Sequence, residues 1–239
     1  MNEELKLHIK KLQRRATISL IAILSTIISI GFGILFLFVH SFVAIIFFVI
    51  AAACIVYLIH SSRTAKKDAK ESVYKPVIFN TDKNLTFEKI VSIFENLTIE
   101  ENQLSISEDV RFFRLKKIFK LRTVIYRTYN FNKKDFDNAK DRINKKANKE
   151  LHISQWVNRM EAGNMMRFNI ICTDVLNDAL YKFISQNANR NLTRVEGIIN
   201  IAIVGNQIMI PPLYGECDLA EISRYKGVIK YVNQVLLNN

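Results

Sequence analysis

From Ala16 to Ile59 the chain carries no charged side chain, and no other feature constrains its fold as much. Only Val39-His40-Ser41 interrupts the run, dividing it into Ala16–Phe38 and Phe42–Ile59, 23 and 18 residues. A helix rises 1.5 Å per residue, so about 20 apolar residues cross a hydrocarbon core of about 30 Å. Both segments therefore read as membrane spans, 16–38 and 42–60, joined by a tight turn. A cleaved signal peptide is the competing reading, because Lys10, Lys11, Arg14 and Arg15 precede the run as a basic n-region would. Against it, the run exceeds an h-region of about 7–15 residues, lacks a small-x-small cleavage site and is followed by a second apolar run. A hairpin buried in a soluble core fits worse still, since little else in the chain could cover so much apolar surface.

The flanks set the orientation. Lys6, Lys10, Lys11, Arg14 and Arg15 precede the first span, Arg63, Lys66, Lys67, Lys70 and Lys75 follow the second, and the turn has no base. Basic flanks stay on the cytoplasmic side, so both termini are expected there, with the turn around His40 outside. Within the first span Ser25, Ser29 and Gly33 recur every fourth residue, a strip of small side chains that lets another helix approach closely. Ala51, Ala52 and Ala53 could face it within one molecule, or a second copy could. The cysteines, Cys54, Cys172 and Cys217, have no metal or redox spacing and fit a reducing compartment.

The expected organisation is a basic N-terminal segment (1–15), the hairpin (16–60), a basic linker (61–75) and one α+β domain (76–239) on the cytoplasmic side. Residues 61–72 read as a polar helical continuation of the second span, broken at Lys75-Pro76. Phe87, Ile90, Val91, Phe94 and Leu97 lie on one helical face after an N-cap at Thr86 or Asn84. Residues 103–131 mix bases with aromatic and β-branched residues and read as two or three strands broken near Lys116-Lys117. Lys134 to Leu151 reads as a charged helix with a thin Phe136, Ala139, Ile143, Ala147 stripe. Then follow a strand (167–173), a helix (176–185) capped by Asp174 or Asn177, and a hairpin from Ile198 to Ile210 turning at Gly205-Asn206. Asp218 and Glu221 form a D-x-x-E capping arrangement for a final helix. This order predicts an antiparallel sheet covered by helices on one face, its C-terminal part offering a protein-binding surface.

The two-helix anchor, the basic linker, the run Phe168-Asn169-Ile170-Ile171 to Asp174, the Ile198–Ile210 hairpin and the closing helix resemble uncharacterised bacterial membrane proteins with a cytoplasmic α+β domain. That resemblance implies a bacterial plasma membrane and carries no catalytic residues.

Charge is uneven. The net charge is +12, and residues 111–149 alone hold fourteen bases against three acids, a net of +11. Beneath a bilayer the readiest partner is anionic lipid, at about 1 kcal/mol per base, and the bases expected to engage it, or an acidic protein, include Arg114, Lys116, Lys117, Lys120, Arg122, Lys133, Lys134, Lys145 and Lys146. The interleaved Phe112, Phe113, Phe119, Tyr126 and Tyr129 leave nucleic acid as a less favoured partner, and a plain solvated face remains open.

Catalysis finds little support. His8, His40, His60 and His152 are scattered, and there is no H-E-x-x-H, G-x-S-x-G, P-loop or G-x-G-x-x-G pattern among only seven glycines. Asp174, Asp178 and Glu196 are better read as capping or solvated groups than as an acid/base or metal site, and Trp156 as a core residue rather than an interfacial anchor. No cofactor or metal is expected. The sequence thus points to a non-enzymatic, membrane-anchored adaptor or assembly component. An oligomerising membrane effector with a ligand-sensing domain, and a tethered nucleic-acid binder, stand as alternatives.

Overall fold

The computed structural model describes residues 3–71, 75–98, 103–115, 121–150, 166–186, 197–215 and 217–237. They form two compact units: Met1–Val73 with Tyr214–Lys226, and Tyr74–Leu213 with Gly227–Asn239.

The first unit is built on α1 (Glu3–Leu37) and α2 (Ser41–Glu71), which turn back at residues 38–40. Both helices are long and apolar enough to cross a membrane, with mean hydropathies of 2.6 and 3.1 over their best windows. Only 17% and 11% of those windows are buried, whereas a core helix of a soluble protein would be mostly covered. At 1.5 Å per residue α1 is about 50 Å long, so its charged first turns project well beyond any apolar layer. The seam uses small residues: Ala22, Ser29 and Gly33 of α1 and Ala44, Ala51 and Ala65 of α2 are buried, with Ser25 half-buried. Spacing of seven between Ala44 and Ala51, and between Ala22 and Ser29, keeps each row on its partner. Near the turn, Phe47 stacks on Phe32 and Phe36 at 5.5 and 5.9 Å. At the other end Arg15 pairs with Asp68 at 2.9 Å, and the chain segment 214–226 meets α1 through Lys226 on Gln13 (2.7 Å) and Tyr214 edge-on to His8.

The second unit is a seven-stranded sheet. Its strands are β1 (Val77–Asn80), β2 (Gln103–Ser107), β3 (Val110–Leu115), β4 (Leu121–Arg127), β5 (Met166–Thr173), β6 (Gly197–Val204) and β7 (Gln207–Ile210), in the order β1-β7-β6-β5-β4-β3-β2. The sheet is mixed, not antiparallel as the sequence suggested, because β5 runs parallel to both β4 and β6. Parallel neighbours need crossovers. These carry α4 (Lys133–Glu150) between β4 and β5, and α5 (Asp178–Ile184) between β5 and β6.

Both faces are covered, again unlike the one-faced expectation. On one, Phe131, Phe136 and Phe183 pack with Ile171, Leu180, Ile184, Ala202 and Met209, and Ile143 and Ala147 close over Val110, Phe112 and Val124. On the other, α3 (Phe87–Leu97) brings Phe94 to Phe113 and Tyr231, and Tyr231 stacks flat on Phe168 with centroids 4.3 Å apart. A sheet sealed on both sides needs apolar residues at successive positions, and Ile170-Ile171-Cys172 and Ile201-Ala202-Ile203 supply them.

Local signals act as their chemistry dictates. Thr86 caps α3 by accepting from Lys89 N, and Asn177 caps α5 by accepting from Leu180 N. Gly205 takes φ +59° in the two-residue turn between β6 and β7, a conformation that a side chain would strain. At α6 (Leu219–Tyr231), which continues into a π-helical turn (Val232–Leu237), Glu221 N donates to Asp218 Oδ1 at 2.6 Å and Asp218 N donates to Glu221 Oε2 at 3.1 Å. This is a reciprocal capping box.

Two outcomes follow. A Cβ on Gly33 would lie 3.0 Å from the Phe48 ring, while one on Gly31 meets nothing. Gly33→Val should therefore destabilise the hairpin by about 1–3 kcal/mol and Gly31→Val should not, read as thermal melting of the full chain in detergent. Burial, with the other oxygen lacking a hydrogen-bond partner among the described residues, raises the Glu221 carboxyl above its ordinary 4.5. The folded state then disfavours the charged form, a penalty complete above the raised value that fades as pH falls towards 4.5. Glu221→Gln, which keeps the capping acceptor, should raise the Tm at pH 7–8, and the gain should shrink on acidification.

Candidate functional site

The central strands begin alike: Leu-Arg-Thr-Val-Ile in β4 and Met-Arg-Phe-Asn-Ile in β5. Parallel pairing puts Arg122 opposite Arg167, and antiparallel pairing puts Arg114 of β3 opposite Arg122. Paired positions share a face, so three arginines stand in one row across three adjacent strands, each about 4.8 Å from the next strand. The following row is Phe112, Val124, Asn169 and Asn200, where Asn169 Nδ2 donates to Asn200 Oδ1 at 2.8 Å.

These two rows floor a cavity of about 200 Å³ at the end of the sheet where β4, β5 and β6 start. Its polar lining is Arg122, Arg167, Asn169 and, from α4, Lys140 and Asp141; its apolar lining is Phe112, Val124, Phe168 and Ile198. Arg122 is only 3% exposed. Like charges on facing strand positions repel, and burial sharpens the repulsion. Among the described lining residues, three bases stand against one carboxylate, a balance that favours an anion.

The described bases of this segment do not form one patch. Arg122 is buried and cannot meet a lipid plane, which corrects its assignment as a lipid-facing base; Arg114 is half-buried beside it. Arg127 is structural: it pairs with Asp109 at 2.7 Å and Glu88 at 2.6 Å, with its guanidinium over the Phe87 ring. Arg111 donates to the carbonyls of Ser107 and Val110. Lys116, Lys117 and Lys120 lie outside the described residues, as do Phe119, His152, Trp156 and Glu196.

What faces outward is on α4. Lys133, Lys134, Arg142, Lys145, Lys146 and Lys149 are exposed, while Phe136, Ile143 and Ala147 turn to the core. Helical periodicity places Lys134, Arg142, Lys145 and Lys149 together on the side opposite that stripe. None of the four has an ion-pair partner among the described residues, whereas Lys146 pairs with Glu150 at 3.7 Å and Lys140 with Asp137 at 3.0 Å.

The remaining candidates disperse. Phe112 and Phe113 are 1% exposed core residues and Tyr126 packs on Phe136, so of the described aromatics proposed for base stacking only Tyr129 stands free of the core. Ser29 and Gly33 are buried in the hairpin seam, leaving little of that strip for a second copy. Asp174 and Asp178 are exposed, no group of three or more His, Cys, Asp or Glu among the described residues could hold a metal, and burial pushes the Cys172 thiol well above its ordinary range. Sequence reading missed Arg167, Lys140 and Asn169 as site residues. The available signal was an arginine at the second position of two strands with apolar centres.

No family model, no curated protein and no solved structure matches this chain.

The Asn169–Asn200 bond is a measurable part of the floor. Asn200→Ala leaves the buried Asn169 amide without its acceptor and should cost about 1–3 kcal/mol, a Tm loss of roughly 2–12 °C in a chain of this size. Replacing both by leucine should recover much of that loss.

Proposed function

We propose that this chain is a membrane-anchored adaptor, working by binding rather than by catalysis, whose hairpin tethers an α+β domain to the inner face of a bacterial plasma membrane. In this reading both helices span the bilayer and both termini are cytoplasmic. Support for the anchor comes from exposed apolar side chains such as Ile27, Leu35, Phe42 and Val56, each more than half accessible, since water does not tolerate so large an apolar surface. Support for the orientation comes from the ten flanking bases, five before α1's apolar stretch and five after that of α2.

The observation that carries the binding role is the outward set Lys134, Arg142, Lys145 and Lys149 on α4. A tethered cationic helix meets anionic headgroups first, and a protein partner is then recruited at the surface so oriented. A second reading, a membrane effector with a ligand-sensing domain, gains from the arginine-lined cavity, while the small-residue strip proposed for its oligomerisation is largely used within the hairpin.

The test is acylation footprinting of the full chain in nanodiscs, with Lys133 and Lys146 as reporters on α4. Both should be protected in anionic discs, reactive in neutral ones, and released by salt. Changing Lys134, Arg142, Lys145 and Lys149 together to glutamine should abolish the protection, a loss of about 1,000-fold in docking strength at about 1 kcal/mol per base. Equal reactivity in both discs would remove lipid as the acidic surface and direct the search to an acidic protein.

A further inference from the structure

We infer that the cavity beneath α4 is a binding site for a small phosphate-bearing molecule, held by Arg122 and Arg167 from the sheet and Lys140 from the helix. This inference does not depend on the adaptor reading, because the residues concerned are not those of the outward face of α4.

Geometry carries it. Arg122 and Arg167 occupy facing positions on hydrogen-bonded parallel strands, so their side chains leave the same sheet face side by side. Guanidinium is planar and always charged, and two of them together present paired N–H donors that match the oxygens of a tetrahedral anion. Lys140, paired with Asp137 at 3.0 Å, enters the same lining from α4, and among the described lining residues Asp141 is the single carboxylate. Arg114 extends the cationic row by one strand. The three arginines also interact within the chain, so the anion adds to a field already fixed by strand register rather than ordering loose side chains. A preset field of this kind binds without the entropy cost of organising long side chains.

Size and lining narrow the ligand further. At about 200 Å³ the cavity falls below the roughly 300–1,000 Å³ typical of drug-sized sites. It suits a phosphate group with a short carbon body rather than a dinucleotide. Phe112, Val124 and Ile198 offer that body an apolar wall, and Asn169 offers a polar contact. The site lies where the parallel strands begin, so it is not the crevice at their carboxyl ends in which open α/β sheets usually hold ligands.

The experiment is a titration of the full chain in neutral nanodiscs with inorganic phosphate and, separately, glycerol phosphate, against chloride at matched ionic strength, followed by thermal melting and calorimetry. Phosphate or its ester should give a saturable rise in Tm of about 3 °C that chloride does not. Tighter binding of the ester would assign the apolar wall to a carbon body, and tighter binding of the free ion would assign the site to phosphate itself. Arg167→Gln and Lys140→Gln should each weaken the affinity roughly tenfold or more, every variant being compared with its own unliganded melting point. Lys140→Gln guards against a folding defect, since Lys140 is half-buried on the helix and not in the sheet. The four-fold glutamine variant of Lys134, Arg142, Lys145 and Lys149 should keep the full response. A response that follows ionic strength alone, that survives both cavity substitutions, or that vanishes in the four-fold surface variant would overturn the assignment.

Discussion

The whole second unit depends on β5 being hydrogen-bonded on both sides in the parallel sense, over seven residue pairs with β4 and eight with β6. Parallel pairing cannot be closed by a tight turn, so the chain must leave the sheet and return twice. Those excursions place α4 and α5 on one face, where Phe136 and Phe183 seal it. The opposite face is left to α3 and Tyr231. The same pairing brings Arg122 and Arg167 together although 45 positions separate them in sequence.

Folding also sorts the bases that make residues 111–149 so cationic. One group, Arg114 and Arg122, is drawn into a row on the sheet beside Arg167, which comes from outside the segment. A second, Arg111 and Arg127, ties strand ends to carbonyls and carboxylates. Among the described residues, the third group, on α4, faces outward. Net charge therefore describes no single surface here. A dense basic stretch becomes a buried field, a set of structural ties and an exposed face according to which strand or helix each residue joins.

Much of this was legible in the sequence wherever local chemistry decides. The uncharged stretch 16–59, the Thr86 cap, the Asp218/Glu221 box and the Gly205-Asn206 turn each depend on residues a few positions apart. Strand direction does not. Whether β5 runs with or against β4 is decided by how α4 packs, and in β6 Ile199, Ile201 and Ile203 fill one face while Ala202, too small to advertise it, fills the other. The cavity was illegible for the same reason: its arginines become neighbours only through register, and Arg122 looked like one more base in a cationic segment.

The outermost pairing, β1 with β7, joins Val77 to Ile210. Synthesis delivers β1 directly after the hairpin, but its partner arrives about 130 residues later, roughly 6–26 s at ordinary elongation rates of about 5–20 residues per second. The loop after β1 cannot settle earlier either, since Thr81 and Leu85 donate their N–H groups to Asn206 and Gly205 in the last turn of the sheet. The order of manufacture is thus the reverse of the order of closure: the first strand off the ribosome is locked by the last. During that interval the nascent sheet carries an open edge, and everything between β1 and β7 has to be made before it can close.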